Sequence, residues 1–330
     1  MFSNLDVAGD FPLRVDIVPS KVSARVWAHE ARAGRQKAPC WTYISDGLWT
    51  LGQKEVIITL NREVEEKPTD FPRAPLKFFS RLHSFADAGA SVDTGDVTQF
   101  EGAGFLGLDG IVYANPQPLE GVEVPDKALA AVLVTEEELR VSQLFGASRV
   151  LAQLGRAAGH YPYPVWSDRS RDGLNLSHMT EQSVLARIER KRIPGVRVRV
   201  EANRLIVSVA PESAEELKST LDQAPTNAPL AIPTELDPAA DGCLVWEAGR
   251  LEPTVAAPPG SRRRRLSGCF IALVPGQKED MGEIVEDGMV VSLTDRSWLA
   301  LRGAVETRAP LTIPGSSGRF DFAFSWHREV

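Results

Sequence analysis

The side chains that could do chemistry are scattered along this sequence. Gly102-Ala103-Gly104-Phe105-Leu106-Gly107 has G-x-G-x-x-G spacing. A dinucleotide site needs a strand before such a turn and a long helix after it, whose N-terminus holds the pyrophosphate. Asp109-Gly110 and Asn115-Pro116-Gln117-Pro118 follow instead. No helix runs through them, so the stretch reads as a glycine-rich loop and no cofactor is expected. There is no Walker-type Lys-Ser/Thr and no G-x-S-x-G nucleophile turn. The histidines at 29, 83, 160, 178 and 327 never pair at a ligand spacing, and His83 reads as a half-buried structural residue. Cys40, Cys243 and Cys269 are odd in number and never C-x-x-C. No metal site or disulfide framework is expected, and the thiols read as buried. Glu136, Glu137 and Glu138 could be catalytic carboxylates, but after Thr135 they read as a helix-capping run. Arg262 to Arg265 could grip phosphate, yet Pro258-Pro259-Gly260-Ser261 before them favours a solvated loop. Asp168-Arg169-Ser170-Arg171-Asp172 reads as a surface turn or a salt-bridge knot. No constellation demands an enzyme.

The elements that would carry these residues are mixed. Val22, Ala24, Val26 and Ala28 alternate with Ser23, Arg25 and Trp27, the period of a strand with one face buried. Cys40–Ile44, ending at the Ser45-Asp46-Gly47 turn, and Glu55–Leu60 are further strands. Thr69-Asp70-Phe71-Pro72 predicts a helix start. Leu76, Phe79, Leu82 and either His83 or Phe85 give a stripe over about 72–87, ending at Gly89 in a left-handed cap. Residues 97–113 are strand-like but broken by glycines. Ala130–Val134 is a strand running into a helix capped by Thr135, interrupted at Gly146 and stopped by Tyr161-Pro162-Tyr163-Pro164.

Further on, a short helix is predicted over Glu181–Arg192. Val196/Val198/Val200 and Leu205/Val207/Val209 make a hairpin, and a helix follows over Pro211–Leu221. Residues 222–242 and 252–265 are Pro-rich and read as loops. Strands dominate from 268, with 296–306 open between strand and helix. The fold class is α+β. Two domains are expected: residues 1–180 with a mixed or antiparallel sheet and flanking helices, and residues 181–330 as a β-rich α+β domain.

The chain has 330 residues, 43% hydrophobic and 25% charged, enough for two ordinary cores. Its 37 basic and 44 acidic side chains give a net charge of −7. That argues against broad nucleic-acid binding, which needs a clustered positive surface. Residues 1–180 hold 23 acids and 18 bases, a net of −5. Met1-Phe2-Ser3-Asn4-Leu5-Asp6 lacks the basic and apolar regions of a secretion signal, and no apolar run is long enough to span a bilayer. These features predict a cytoplasmic protein without membrane contact.

Several short motifs, taken in order, resemble the suppressor of fused family. They begin with Tyr43-Ile44-Ser45-Asp46-Gly47-Leu48, the charged tail of Glu55–Glu63, and Phe71-Pro72 opening the helix with Arg81. Gly95-Asp96 follows, then Thr135-Glu136-Glu137-Glu138-Leu139 with Ser142-Gln143-Leu144-Phe145-Gly146 and Val150-Leu151. Trp166-Ser167-Asp168-Arg169-Ser170-Arg171 completes the set, and Leu299-Ala300-Leu301-Arg302-Gly303 adds a vaguer likeness in the second half.

The resemblance implies an α/β first domain and no known catalysis. Animal members of that family hold a transcription-factor peptide, partly by strand addition. Bacterial members look like immunity proteins that neutralise a toxin. The resemblance makes Asp96, with Gly95, a candidate partner-binding residue. Leu82 stands where the family has a Tyr. The leading expectation is therefore a non-enzymatic protein-binding module of bacterial type, an immunity protein for a polymorphic toxin. Its acidic balance would suit a basic toxin by charge steering. One alternative is a regulatory adaptor that binds a linear peptide between its two domains, with an exposed sheet edge near 92–113 and an open cleft between the halves. Another is a hydrolase using Asp96, His83 or Glu136. No oligomeric state is implied.

Overall fold

The computed structural model describes residues 12–33, 36–67, 70–102, 104–224, 228–316 and 319–327. The N-terminal hexapeptide, Thr69 and Ala103 lie outside the described residues. Two compact units form. The first comprises residues 1–139 and 165–173, and the second residues 140–164 and 174–330. The division at 180 expected from the sequence gives way to a chain that crosses from unit to unit three times.

The first unit is a seven-stranded sheet. Its strands are β1 (Leu13–Val18), β2 (Val22–Ala33), β3 (Gln36–Asp46), β4 (Glu55–Asn61), β5 (Val97–Gln99), β6 (Gly110–Ala114) and β7 (Ala128–Val134). They lie in the order β1-β2-β3-β4-β7-β6-β5. Every neighbouring pair is antiparallel except β4 with β7, so the sheet is mixed. Strand alternation sorts the two faces. Trp41, Tyr43, Val56, Ile58 and Leu60 point to one side, where helix α1 (Ala74–Asp87) covers them with Leu76, Phe79 and Leu82. Trp27, Ile44 and Ile57 point to the other side and pack with Val122 and Ala128. Helix α1 starts at Ala74 with Pro75 in its first turn, two residues later than Phe71-Pro72 suggested.

Two polar devices shape this unit. The buried Glu55 carboxylate accepts hydrogen bonds from Ser45 Oγ, Gly47 N (2.8 Å) and Trp49 N (3.2 Å). It thereby fastens the end of β3 to the start of a 3-10 helix at Leu48–Leu51. Gly47 is required there: its φ is +117°, and a Cβ would stand 2.2 Å from the Lys21 carbonyl. The second device is the returning segment 165–173. Ser167 N donates to Thr59 O (2.8 Å), Asn61 N to Ser167 O (3.2 Å), and Leu133 N to Ser167 Oγ (3.0 Å). Ser167 thus fills the gap where β4 and β7 part. Arg169 is held by Glu66 (2.6 Å) and Arg171 by the buried Glu138 (2.5 Å). Of the two readings of residues 168–172, the salt-bridge knot is the one observed.

The second unit begins within helix α2 (Glu136–Phe145) and continues in α3 (Ala147–Ala157), with the expected break at Gly146. The Thr135 hydroxyl is not the cap. Glu138 accepts from Thr135 N (2.9 Å) and Asp109 from Glu136 N (2.8 Å). Next come α4 (Ser177–Gln182), β8 (Glu189–Arg190), β9 (Val196–Glu201), β10 (Arg204–Val209), α5 (Ala214–Gln223), β11 (Leu230–Pro233) and β12 (Gly242–Val245). The remainder is β13 (Thr254–Ala256), β14 (Arg265–Ser267), β15 (Phe270–Val274), β16 (Met281–Val285), β17 (Gly288–Ser292), α6 (Asp295–Thr307), β18 (Leu311–Ile313) and β19 (Asp321–Trp326).

Two sheets result, β13-β12-β14-β9-β10-β19-β18 and β16-β17-β15-β11-β8. Val198, Leu205, Val207, Ile271, Leu273, Val291, Phe322 and Phe324 pack with α5 and α6 in one apolar core. A void of about 20 Å³ lies in it, lined only by apolar side chains.

Three expectations change here. The Pro-rich stretches 222–242 and 252–265 carry β11, β13 and the starts of β12 and β14. Residues 296–306 are helical, because Thr294 Oγ1 accepts from Ser297 N and caps α6. The helix expected over Glu181–Arg192 is broken at Ser183, which is extended and drawn into a buried ion cluster. In that cluster Arg149 on α3, with no solvent exposure, donates to Asp287 (2.7 Å), Glu286 (2.5 Å) and Ser183 Oγ (3.0 Å).

Arg149→Leu leaves two buried carboxylates without their counter-ion. It should cost the second unit roughly 3–5 kcal/mol, read by urea unfolding of Trp246, whose ring lies 5.7 Å from the guanidinium. Burial also holds His29 and His160 below the ordinary imidazole value. Their neutral forms are the folded ones, so stability is full above about pH 6.5 and falls as pH drops below it toward the folded values. Thermal unfolding at pH 7.5 and pH 5.5 should show the loss, and His160→Asn should reduce the slope.

Candidate protein-binding surface

Gly95 and Asp96, singled out by the sequence, lie where the chain leaving α1 turns into β5. The helix ends in a Schellman arrangement with Gly89 at positive φ: Ala90 N donates to Phe85 O (3.0 Å) and Gly89 N to Ala86 O (2.9 Å). The chain is then fastened to the β4 approach. Gln53 and the Val92 backbone exchange two hydrogen bonds (2.8 and 3.2 Å), and Lys54 pairs with Asp93 at 2.8 Å.

Asp93-Thr94-Gly95-Asp96 is a tight turn. Asp96 N donates to Asp93 O (3.0 Å), and Gly95 has φ +81°. A type II turn needs that left-handed position, which explains the glycine. Gly95 N donates to Tyr113 O (2.8 Å) and Tyr113 N to Asp96 O (3.0 Å), so two residues face one in a bulge opening β5. The Asp96 carboxylate accepts from Asp93 N at 2.6 Å and closes the turn. It also lies near the Tyr113 hydroxyl, which burial above all pushes up, with the Asp96 charge adding to the rise.

β5 is the last strand of its sheet. Asp96 O and Phe100 N bond toward β6, with the register Thr98↔Ile111 between them. The backbone groups of Val97 and Gln99 therefore face away from the sheet. They form a short row of donors and acceptors of the kind a further strand can pair with.

Leu82 is corrected by the structure: only 4% exposed, it packs into the core beneath α1. The apolar surface at this end is instead Phe85, 60% exposed, with Trp49, 66% exposed, on the 3-10 helix packed beside α1. Sequence reasoning left the stripe open between His83 and Phe85. Helical spacing from Leu76, Phe79 and Leu82 buries His83 and leaves Phe85 off the buried arc. Arg81 and Lys77 stand four and eight residues before Phe85 on the same exposed face. Neither has a carboxylate partner among the described residues.

The remaining candidates serve the fold. In the glycine-rich stretch, Phe105 and Leu108 exchange backbone hydrogen bonds (2.6 and 3.1 Å) across Leu106 and Gly107, both at positive φ. This tight hairpin sets Phe105 against Phe100 (4.9 Å) and Phe78 (5.7 Å). No hydrogen bond joins Asp96, His83 and Glu136 among the described residues. All three cysteines are buried, and burial pushes the Cys40 thiol up to about 12. No group of metal-ligating side chains occurs among the described residues.

Asp96→Ala removes the acceptor for Asp93 N. It should lower the stability of the first unit by about 1 kcal/mol, measured by urea unfolding, with Asp96→Asn retaining part of it.

The suppressor of fused resemblance returns among solved structures. The crystal structure of Drosophila suppressor of fused aligns over 92% of this chain and 88% of its own, at 11% identity and TM-score 0.36. The Sufu-Fu complex crystal structure aligns over 46% and 75%, at 18% identity and TM-score 0.35. Among curated proteins, mouse zinc finger FYVE domain-containing protein 16 is 22% identical over 292 residues and the human protein 9 of that name 24% identical over 295. Each match takes in 83% of this chain, which spans only about a fifth of those relatives (19% and 20%). The motifs quoted from the sequence lie within residues 43–171, apart from the vaguer likeness at 299–303, whereas one family profile matches residues 124–321, more than half of the chain. By that match the chain belongs to the Smad anchor for receptor activation-like, C-terminal family.

Proposed function

We propose that this chain is a protein-binding module whose first unit receives an extended segment of its partner along β5. The observation that carries the reading is the open edge of β5, which presents the Val97 and Gln99 backbone beside the rigid Asp93–Asp96 turn. Strand addition supplies affinity through main-chain hydrogen bonds and specificity through flanking side chains. Phe85 and Trp49 supply exposed apolar surface near this end, and Lys77 and Arg81 supply positive charge. The partner segment is therefore anionic with an apolar anchor. Gly95 and Asp96 act by holding the turn that presents the strand. The family's name, which speaks of anchoring, supports a binding role.

A toxin as the partner, with this chain as its immunity protein, is the narrower reading. The cationic face of α1 favours an acidic partner over the basic toxin suggested by net charge. A cytoplasmic setting agrees with the described helices, none of which is long and apolar enough to cross a membrane.

Gln99→Pro removes an outward N–H without touching the β6 ladder, and Phe85→Asp removes the apolar anchor. Photo-crosslinking from position 99 identifies the partner bound by the full chain. Each substitution should then weaken that partner's affinity about tenfold or more with the melting temperature kept, as expected when a hot spot is lost. A partner bound equally by both variants overturns the reading. Rescue of growth on co-expression with a toxic partner would select the immunity reading.

A further inference from the structure

The four consecutive arginines of the second unit are not a loose basic loop. They end the connection between β13 and β14, and one carboxylate organises them. Asp241 Oδ1 accepts from Arg265 Nη2 at 2.8 Å, and Asp241 Oδ2 accepts from Arg264 N and Arg265 N at 3.3 Å each. Asp241 N donates to Arg265 O (2.8 Å), and Ser261 Oγ donates to Asp241 O (2.8 Å). Ser261 Oγ in turn accepts from Arg263 N (3.2 Å), and Ser261 N donates to Pro258 O (3.1 Å). Arg263 is held at φ +50°, a conformation uncommon for a side chain with a Cβ.

This framework uses Arg265 and spares the other three. Arg262, Arg263 and Arg264 are exposed and have no carboxylate partner among the described residues. The nearby acids are already matched: Glu201 pairs with Arg199 at 3.2 Å, and Asp237 with the same guanidinium at 3.0 Å. Three unpaired cations thus sit on a fixed backbone in a chain of net charge −7. The strand before them, β13, is the edge of its sheet.

We propose that the arginine turn and the open edge of β13 together receive a phosphorylated segment of a partner protein. Guanidinium forks bind phosphoryl oxygens in pairs, and a dianionic phosphate satisfies more than one fork at once. An edge strand supplies the main-chain pairing that an extended peptide needs. The acidic remainder of the chain disfavours a nucleic-acid backbone as the occupant. This surface belongs to the second unit and stands independently of the β5 reading.

The test is fluorescence anisotropy of the full chain with a fluorescein-labelled extended peptide carrying two adjacent phosphoserines. The unphosphorylated peptide, inorganic phosphate as competitor, and phosphatidylcholine vesicles containing phosphatidylserine form the other arms. The phosphopeptide should bind in a salt-sensitive way and at least about tenfold more tightly than its unphosphorylated form. Combined Arg262→Ala, Arg263→Ala and Arg264→Ala should remove that difference without lowering the melting temperature. Asp241→Asn keeps every guanidinium but loosens their support, and should weaken binding about threefold, in keeping with loss of preorganisation. Equal binding of both peptides, unchanged binding by the triple variant, or binding to the vesicles alone would each overturn the proposal.

Discussion

A guanidinium without water fixes much of the second unit. Arg149 has no solvent exposure, so its donors must find partners inside the protein. They find Asp287 and Glu286 at the turn between β16 and β17, and Ser183 after α4. Three stretches far apart in sequence thereby converge on one side chain. The cost appears in the backbone: Glu286 is held at φ +53°, and the helical pattern after residue 181 stops at Ser183. Phe145, Trp246 and Phe270 complete the enclosure, each with its ring within 5.7 Å of the guanidinium carbon.

What was legible in the sequence was local. The strand over Val22–Ala28, the Gly89 cap and the break at Gly146 depend on neighbours a few residues away and appear as read, except that Ser23 and Trp27 are buried as well, so both faces of that strand are covered. Cys40, Cys243 and Cys269 are buried thiols as their spacing suggested. What was hidden depends on distant partners. Nothing in Glu181–Arg192 announces that Ser183 serves Arg149. Nothing in the Pro-rich stretches announces that Leu230–Pro233 finds Phe270–Leu273 across a sheet. At the candidate surface Asp96 and Gly95 were visible as turn residues. Leu82 was named as a partner-binding residue from a resemblance, which says nothing about which way a helix faces, whereas its place in the Leu76, Phe79, Leu82 stripe already pointed to the core.

Net charge describes the average of this chain and not its surfaces. The acidic total arises alongside carboxylates that are committed internally: Glu55 to a turn, Glu138 to Arg171, Asp241 to Arg265 and Asp287 to Arg149. Cations without a carboxylate partner among the described residues include Lys77 and Arg81 on the outer face of α1 and Arg262, Arg263 and Arg264 in the turn before β14. A sum over the sequence, whether −7 overall or −5 for its first half, conceals this arrangement.

The returning segment 165–173 has a consequence for how the chain comes off the ribosome. The parting of β4 and β7 stays open until Ser167 arrives, yet residues 140–164 of the second unit are made before it. The first unit cannot close as an independent early product, as N-terminal domains commonly do during synthesis. Its completion waits on a length of chain already pledged elsewhere. The two units are therefore bound in the order of their making as well as in sequence, and neither can be inherited as one uninterrupted piece.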